Sequence, residues 1–224
     1  MVSIVHLSDD FVVVYKPAGC DFHDDHGTPG LFSRVRAQLG ESELYPVHRL
    51  DKVTSGLVVM ARSASVNREL CEQFREARVE KYYLAISAKK PTKKQGAVIG
   101  DMAPARRGAW RLTRSTNNPA RTAFLSTSLV PGLRLFLLKP FTGKTHQLRV
   151  ALKSVGAPIL GDTNYAAEPA DRVYLHAYQL SFSVAGHIYC FNRLPDVGEH
   201  FLRPEFSVAL AGWAHPEQLT WPRA

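Results

Sequence analysis

His48-Arg49-Leu50-Asp51 stands just upstream of Gly56-Leu57-Val58-Val59-Met60-Ala61, setting a histidine, an arginine and a carboxylate ahead of a run that reads as a buried strand. A carboxylate mounted at the edge of a sheet can move protons, or stabilise or trap an electron-poor carbon. A solvated turn before a core strand is the plainer alternative. Two other stretches compete for attention. Residues 20–26, CDFHDDH, gather Asp21, His23, Asp24, Asp25 and His26, all of them metal-ligand types. They lie in one short loop without helical i, i+4 geometry and without an obvious distant partner, so they read as a solvated loop. A metal-dependent hydrolase built on His23, Asp24 and His26 is the competing reading. Gly143-Lys144-Thr145 invites a phosphate-binding loop, but Leu138 stands where that loop needs its first glycine, and an apolar strand precedes it. HRLD also departs from the kinase catalytic loop, because the aspartate is displaced by one residue and no glycine-rich nucleotide loop accompanies it.

The elements that must position these groups are legible from periodicity and turn chemistry. Ile4 to His6 and Phe11 to Lys16 read as short strands broken at Ser8-Asp9-Asp10, with Lys16-Pro17-Ala18-Gly19 as a turn. Thr28 to Leu39 reads as a helix, and Gly56 to Arg62 as a strand covered on both faces. Val66, Leu70, Cys71, Phe74 and Ala77 recur at helical spacing after a capping serine. KYYLAIS follows as a strand, and from Ala97 to Lys139 strand-like pieces alternate with turn signals. Thr145 to Ser154 reads as a helix stopped at Gly156-Ala157-Pro158. VYLHAYQLSFSV and HIYCF complete the main body. Runs of antiparallel strands with few helices predict an α+β architecture rather than a doubly wound one.

Hydrophobic residues make up 45% of the 224, enough for a substantial core in one large domain or two small halves around a cleft. No apolar run approaches the ~18 residues of a membrane span. The first residues lack the order of a secretory signal. Cys20, Cys71 and Cys190 are odd in number and far apart, which suits reduced thiols in a cytoplasmic protein. The net charge of +8 is concentrated: between Lys89 and Arg121 stand nine basic residues and one acid, Asp101, while the remainder holds nineteen of each sign. Lys93, Lys94, Arg106 and Arg107 lie in that segment, which reads either as a polyanion contact surface or as a pair of solvated loops.

Taken together, KPAG at 16–19, HRLD with Ser55-Gly56-Leu57, Lys81-Tyr82-Tyr83-Leu84-Ala85, Gly143 to Val150 (GKTHQLRV), Pro158 to Asp162 (PILGD) with Tyr165, and Leu175-His176-Ala177 form an ordered series. In that order and with these separations the chain resembles an RluA-type pseudouridine synthase, over roughly three-quarters of its length. Any one motif is weak, and the ordered set is specific. The resemblance implies a pseudouridine synthase fold: a mixed, mostly antiparallel central sheet in two halves, flanked by helices and loops, with a central catalytic cleft. It implies one catalytic domain over residues 1–224, without the N-terminal S4 domain of some relatives. Lys144 replaces the family's usual arginine, Ala151 a frequent histidine and Tyr15 the usual asparagine, departures that bear on substrate choice rather than on the central residues.

Carried over by position, Asp51 matches the essential aspartate, Tyr83 the active-site tyrosine, and Arg149 the arginine that pairs with the aspartate. Arg49, His48, Lys81, Lys144, His146 and Gln147 fall on the nucleic-acid side of the motifs. The implied reaction breaks the N1–C1′ bond of uridine, turns the uracil and rejoins it through C5. C1′ becomes electron-poor as in glycoside hydrolysis, so Asp51 must be ionised, and Arg149 would supply the opposite charge and a fork that orients it. Tyr83 would offer an aromatic face for uracil and a hydroxyl for proton movement. The target base must leave its stack, and phosphate contacts from the basic segment would offset the few kcal/mol this costs. Trp110, among those arginines, could stack on a base or belong to the core. The expectation is therefore a cofactor-independent isomerase, without metal or nucleotide cofactor and without membrane contact. It would be a monomer acting on a stem-loop of ribosomal or transfer RNA. An inactive RNA-binding module of the same fold is the alternative.

Overall fold

The chain begins with β1 (Ser3–Leu7), which turns back at Ser8-Asp9-Asp10 into β2 (Phe11–Lys16). Ser8 fixes the turn, its N–H donating to the Phe11 carbonyl and its Oγ accepting from the Phe11 N–H. Helix α1 (Leu31–Leu39) starts three residues later than periodicity predicts. Gly30 lies so close to the backbone carbonyl of His23 that any Cβ there would collide, and the chain cannot coil until it has passed. The helix stops at Gly40, whose φ of 67° is the left-handed cap that glycine tolerates. A two-residue β3 (Tyr45–Pro46) leads toward β4 (Ser55–Ala61), in which every residue is buried, as a continuous apolar run predicts.

Helix α2 (Ala64–Arg75) is capped by Ser63, whose Oγ accepts from the Val66 N–H. Val66 and Leu70 face the core, whereas Cys71, expected with them, is exposed. Then come β5 (Glu80–Ser87), β6 (Gln95–Gly100), β7 (Met102–Pro104), β8 (Trp110–Leu112), β9 (Ala120–Val130) and β10 (Leu133–Pro140). Helix α3 (Gln147–Ser154) begins two residues later than predicted, because His146 adopts a left-handed φ of 56°. The body closes with β11 (Leu175–Val184), β12 (His187–Asn192) and a helix absent from the sequence reading, α4 (Pro204–Ala211). No helix is long and apolar enough to cross a membrane.

The computed structural model describes residues 1–224, which divide into two compact units: 1–81 with 177–194, and 82–176 with 195–224. In the first, the strand order is β1-β2-β4-β11, with β3 pairing β4 and β12 pairing β11. Its core joins Phe11, Val13, Leu57, Val59, Leu70 and Phe182 with their neighbours. Burying each such side chain contributes about 1.5–3 kcal/mol. Gln73 is a buried polar residue of α2, and it is satisfied: its amide donates to the Ser183 carbonyl and accepts from the Ser183 N–H, stitching the helix to β11. In the second unit β5, β10, β9 and β6 lie side by side and antiparallel, and β7 and β8 form a separate hairpin. The architecture is α+β, with mostly antiparallel strands and few helices, as expected.

Candidate active site

Asp51 sits on a tight turn, its carbonyl accepting from the Thr54 N–H at 3.0 Å, immediately before β4. Lys16 holds that turn in place. Its side chain is fully buried, and its ammonium donates to the carbonyls of Thr54 (2.8 Å), Lys52 (3.0 Å) and Pro17 (3.1 Å). The Gly19 N–H adds a bond to the Lys52 carbonyl at 2.8 Å. The KPAG turn is therefore a clamp on the residues that follow Asp51, a role its sequence did not disclose. Gly56, with φ of 120°, lets β4 start where a Cβ would collide with the backbone of Ala177.

His48 braces β4 beyond that turn. Its Nε2 accepts from the Val59 N–H at 3.1 Å, just where β3 ends and no longer offers β4 a backbone acceptor. The ring stacks on Phe74 with centroids 4.6 Å apart. Burial, and then the positive charge of Lys81, push the imidazole down to about 3, so it is neutral near pH 7 and suited to accept. Lys81 lies 5.4 Å from the Phe74 centroid, and burial lowers its ammonium to about 8. His48 and Lys81 were expected at the RNA, and the structure gives both a packing role around Phe74. Arg49 between them is exposed.

Tyr83 is half-buried on β5, opposite Leu138 of β10. Its neighbour Tyr82 points the other way into the core, where its hydroxyl accepts from Lys139 Nζ at 3.1 Å. Arg149 projects from α3 and is buried. Its Nε and Nη2 donate to the two carboxylate oxygens of Asp162 at 2.7 and 2.8 Å. The guanidinium lies 5.0 Å from the centre of the Tyr165 ring. The Tyr165 hydroxyl accepts from the Trp110 N–H at 3.0 Å and lies 2.9 Å from His146 Nδ1. Asp162 and Tyr165 were visible as the PILGD and tyrosine motif, but nothing in the sequence assigned them to Arg149.

Gln147, expected at the RNA, is buried instead and serves the scaffold. Its Oε1 accepts from Thr142 Oγ1 and the Lys144 N–H, and its Nε2 donates to the Arg121 carbonyl and Thr122 Oγ1. Four bonds leave that amide fully used within the chain. Lys144 donates to Asn118 Oδ1 at 2.9 Å.

The basic segment lies wholly in the second unit, with Lys93 and Lys94 between β5 and β6 and Arg106 and Arg107 at the tip of the β7–β8 hairpin, all exposed. Its single acid, Asp101, is held in place by neighbouring donors. Burial works against the Asp101 carboxylate, but bonds from Ser115 and from the N–H groups of Asn118 and Asn117, with Lys144 nearby, hold it below its ordinary range. Trp110 belongs to this hairpin and is half-buried.

In the 20–26 loop the carboxylates are occupied by neighbours. Asp21 pairs with Lys52 at 2.6 Å, and Asp24 accepts from the Gly30 N–H. His26 lies 3.6 Å from Asp25, and no group of three potential metal ligands converges anywhere in the chain. A cleft of about 520 Å³ opens beside this loop, lined by Cys20, Arg34 and Lys52 among others.

Residues 10–154 match the family model described as RNA pseudouridylate synthase. The chain is 47% identical over 205 residues to an uncharacterized RNA pseudouridine synthase of Haemophilus influenzae, covering 91% of this chain and 92% of that one. It is 36% identical over 198 residues to the dual-specificity RNA pseudouridine synthase RluA of Pasteurella multocida, covering 81% and 86%. The solved structure of human RNA pseudouridylate synthase domain containing 4 superposes with a TM-score of 0.72 at 28% identity, over 89% of this chain and 91% of that one. With the motifs, the fold and these relatives in agreement, the chain belongs to the RNA pseudouridylate synthase family, in its RluA-type branch, whose members isomerise uridine in RNA to pseudouridine.

Proposed function

We propose that Asp51 is the carboxylate through which this pseudouridine synthase works at C1′, with Arg149 as its orienting partner and Tyr83 as the ring against which uracil stacks. The observation that supports this most is the mounting of Asp51: a buried ammonium clamps the backbone that follows it, and a neutral histidine braces the strand beyond. A residue in a solvated turn needs no such support. A carboxylate that must meet one carbon of a flipped nucleotide does, because misplacement by about 1 Å can cost 10²-fold in rate.

In this reading the glycosidic bond N1–C1′ breaks while Asp51 stabilises or captures the electron-poor C1′. The freed uracil turns against Tyr83, C5 joins C1′, and the C5 proton leaves. The Tyr83 hydroxyl assists that last transfer. The enzyme acts as a monomeric catalytic domain in the cytoplasm, without a cofactor, on a stem-loop of ribosomal or transfer RNA. The exposed cations of the β5–β6 loop and the β7–β8 hairpin hold the phosphates, with Arg49 at the base.

Tritium release from 5-tritiated uridine in RNA tests the assignment. Asp51→Asn should lower release by about 10²–10⁴-fold while RNA affinity stays within a few fold. Release at the wild-type rate in that variant would remove Asp51 from the mechanism.

A further inference from the structure

The contact between Arg149 and Asp162 is built with more care than charge neutralisation requires. Both side chains are almost wholly buried, 4% and 2% exposed, and the two bonds are short and parallel, Nε to Oδ2 and Nη2 to Oδ1. The backbone that carries the carboxylate is itself fixed. The Asp162 N–H donates to the Ile159 carbonyl, and its own carbonyl accepts from the N–H groups of Tyr165 and Ala167. Gly161 precedes it at φ of 82°, where a Cβ would collide with the Arg172 carbonyl, so the approach to Asp162 admits only glycine. Tyr165, held through its hydroxyl by Trp110 and His146, sets its ring against the guanidinium.

A guanidinium is planar, and a carboxylate that takes Nε and Nη2 fixes that plane. The edge formed by Nη1 and Nη2 then points in one direction only, and Arg149 can take a second carboxylate only from that direction. We infer that Asp162 is a positioning residue for the reaction: it sets the plane of Arg149 and thereby the direction from which Arg149 holds the catalytic carboxylate. This rests on the reading above, in which that carboxylate is Asp51. The contrasting role is structural, with Asp162 serving only to make a buried arginine tolerable.

A double-mutant cycle in the full chain separates the two. Release from 5-tritiated uridine RNA and RNA affinity are measured for Asp162→Asn, Arg149→Lys and the double variant. Asp162→Asn keeps one acceptor but loses the second, so kcat should fall by about 10–100-fold with KM and RNA affinity within a few fold. In the Arg149→Lys background, which has no fork to orient, the same change should cost less than about threefold. Equal losses in both backgrounds would show that Asp162 acts elsewhere and overturn the inference. Wild-type kcat in Asp162→Asn, with Arg149→Lys impaired, would overturn it and leave the role of Arg149 standing. Wild-type activity in Arg149→Lys would instead bring down the reading on which it rests. If Asp162→Asn does not fold, Asp162→Glu carries the comparison, since it keeps the charge and displaces the carboxylate by one methylene. A loss in kcat alone supports positioning, and unchanged kcat overturns it.

Discussion

The ammonium of Lys16 donates to the carbonyl of Thr54 at 2.8 Å, thirty-eight residues away, from a side chain that water does not reach. A lysine so placed is costly to bury unless its donors are used, and here they close the turn that carries Asp51.

Replacing Lys16 with methionine keeps the volume and removes the donors. Each buried carbonyl left without a partner costs about 1–3 kcal/mol, so the urea midpoint should fall clearly. Amide exchange at Gly19 and Thr54 should rise more than exchange in α2, which has no part in the clamp. Uniform exchange across the first unit would show that Lys16 does not act locally.

His48 makes acid stability a readout of the same region. The folded chain keeps its imidazole neutral down to about 3, whereas an unfolded one takes up a proton near 6.5. Between those values the unfolded state binds more protons, so stability is fully present above about pH 6.5 and declines as pH falls toward 3. The loss amounts to a few kcal/mol at most. Unfolding of the wild type and of His48→Gln, measured from pH 7 to 4.5, should show the wild-type advantage shrinking with acid. Parallel curves would mean that His48 is not held neutral.

The exposed cations are tested through salt. Reversing Lys93, Lys94, Arg106 and Arg107 to glutamate should weaken RNA binding and flatten the plot of log affinity against log salt. Four lost phosphate contacts predict a change in slope of about 3. Affinity and slope unchanged at low salt would reduce the segment to a solvated surface.

Much of this protein is legible residue by residue. The continuous apolar run at β4 and the serine cap of α2 are local patterns, and they appear within a residue of where periodicity puts them. Local patterns fail where a tertiary contact intervenes. Gly30 against His23 delays α1, and the left-handed His146 delays α3. The short β7 and the weakly patterned α4, with only Phe206 and Leu210 buried, carry too little periodicity to be read.

The sequence by itself determined most of the strands, the helices α1 to α3, the family and the identity of Asp51, Tyr83 and Arg149 as candidates, because motif order and side-chain period survive in one dimension. Only the tertiary structure decided the partnerships: Lys16 under the Asp51 turn, His48 as an acceptor for Val59, Gln147 as a clasp, Asp162 as the carboxylate on Arg149. A hydrogen bond depends on distance and direction between groups the chain brings together from afar, and neither is encoded in local propensity.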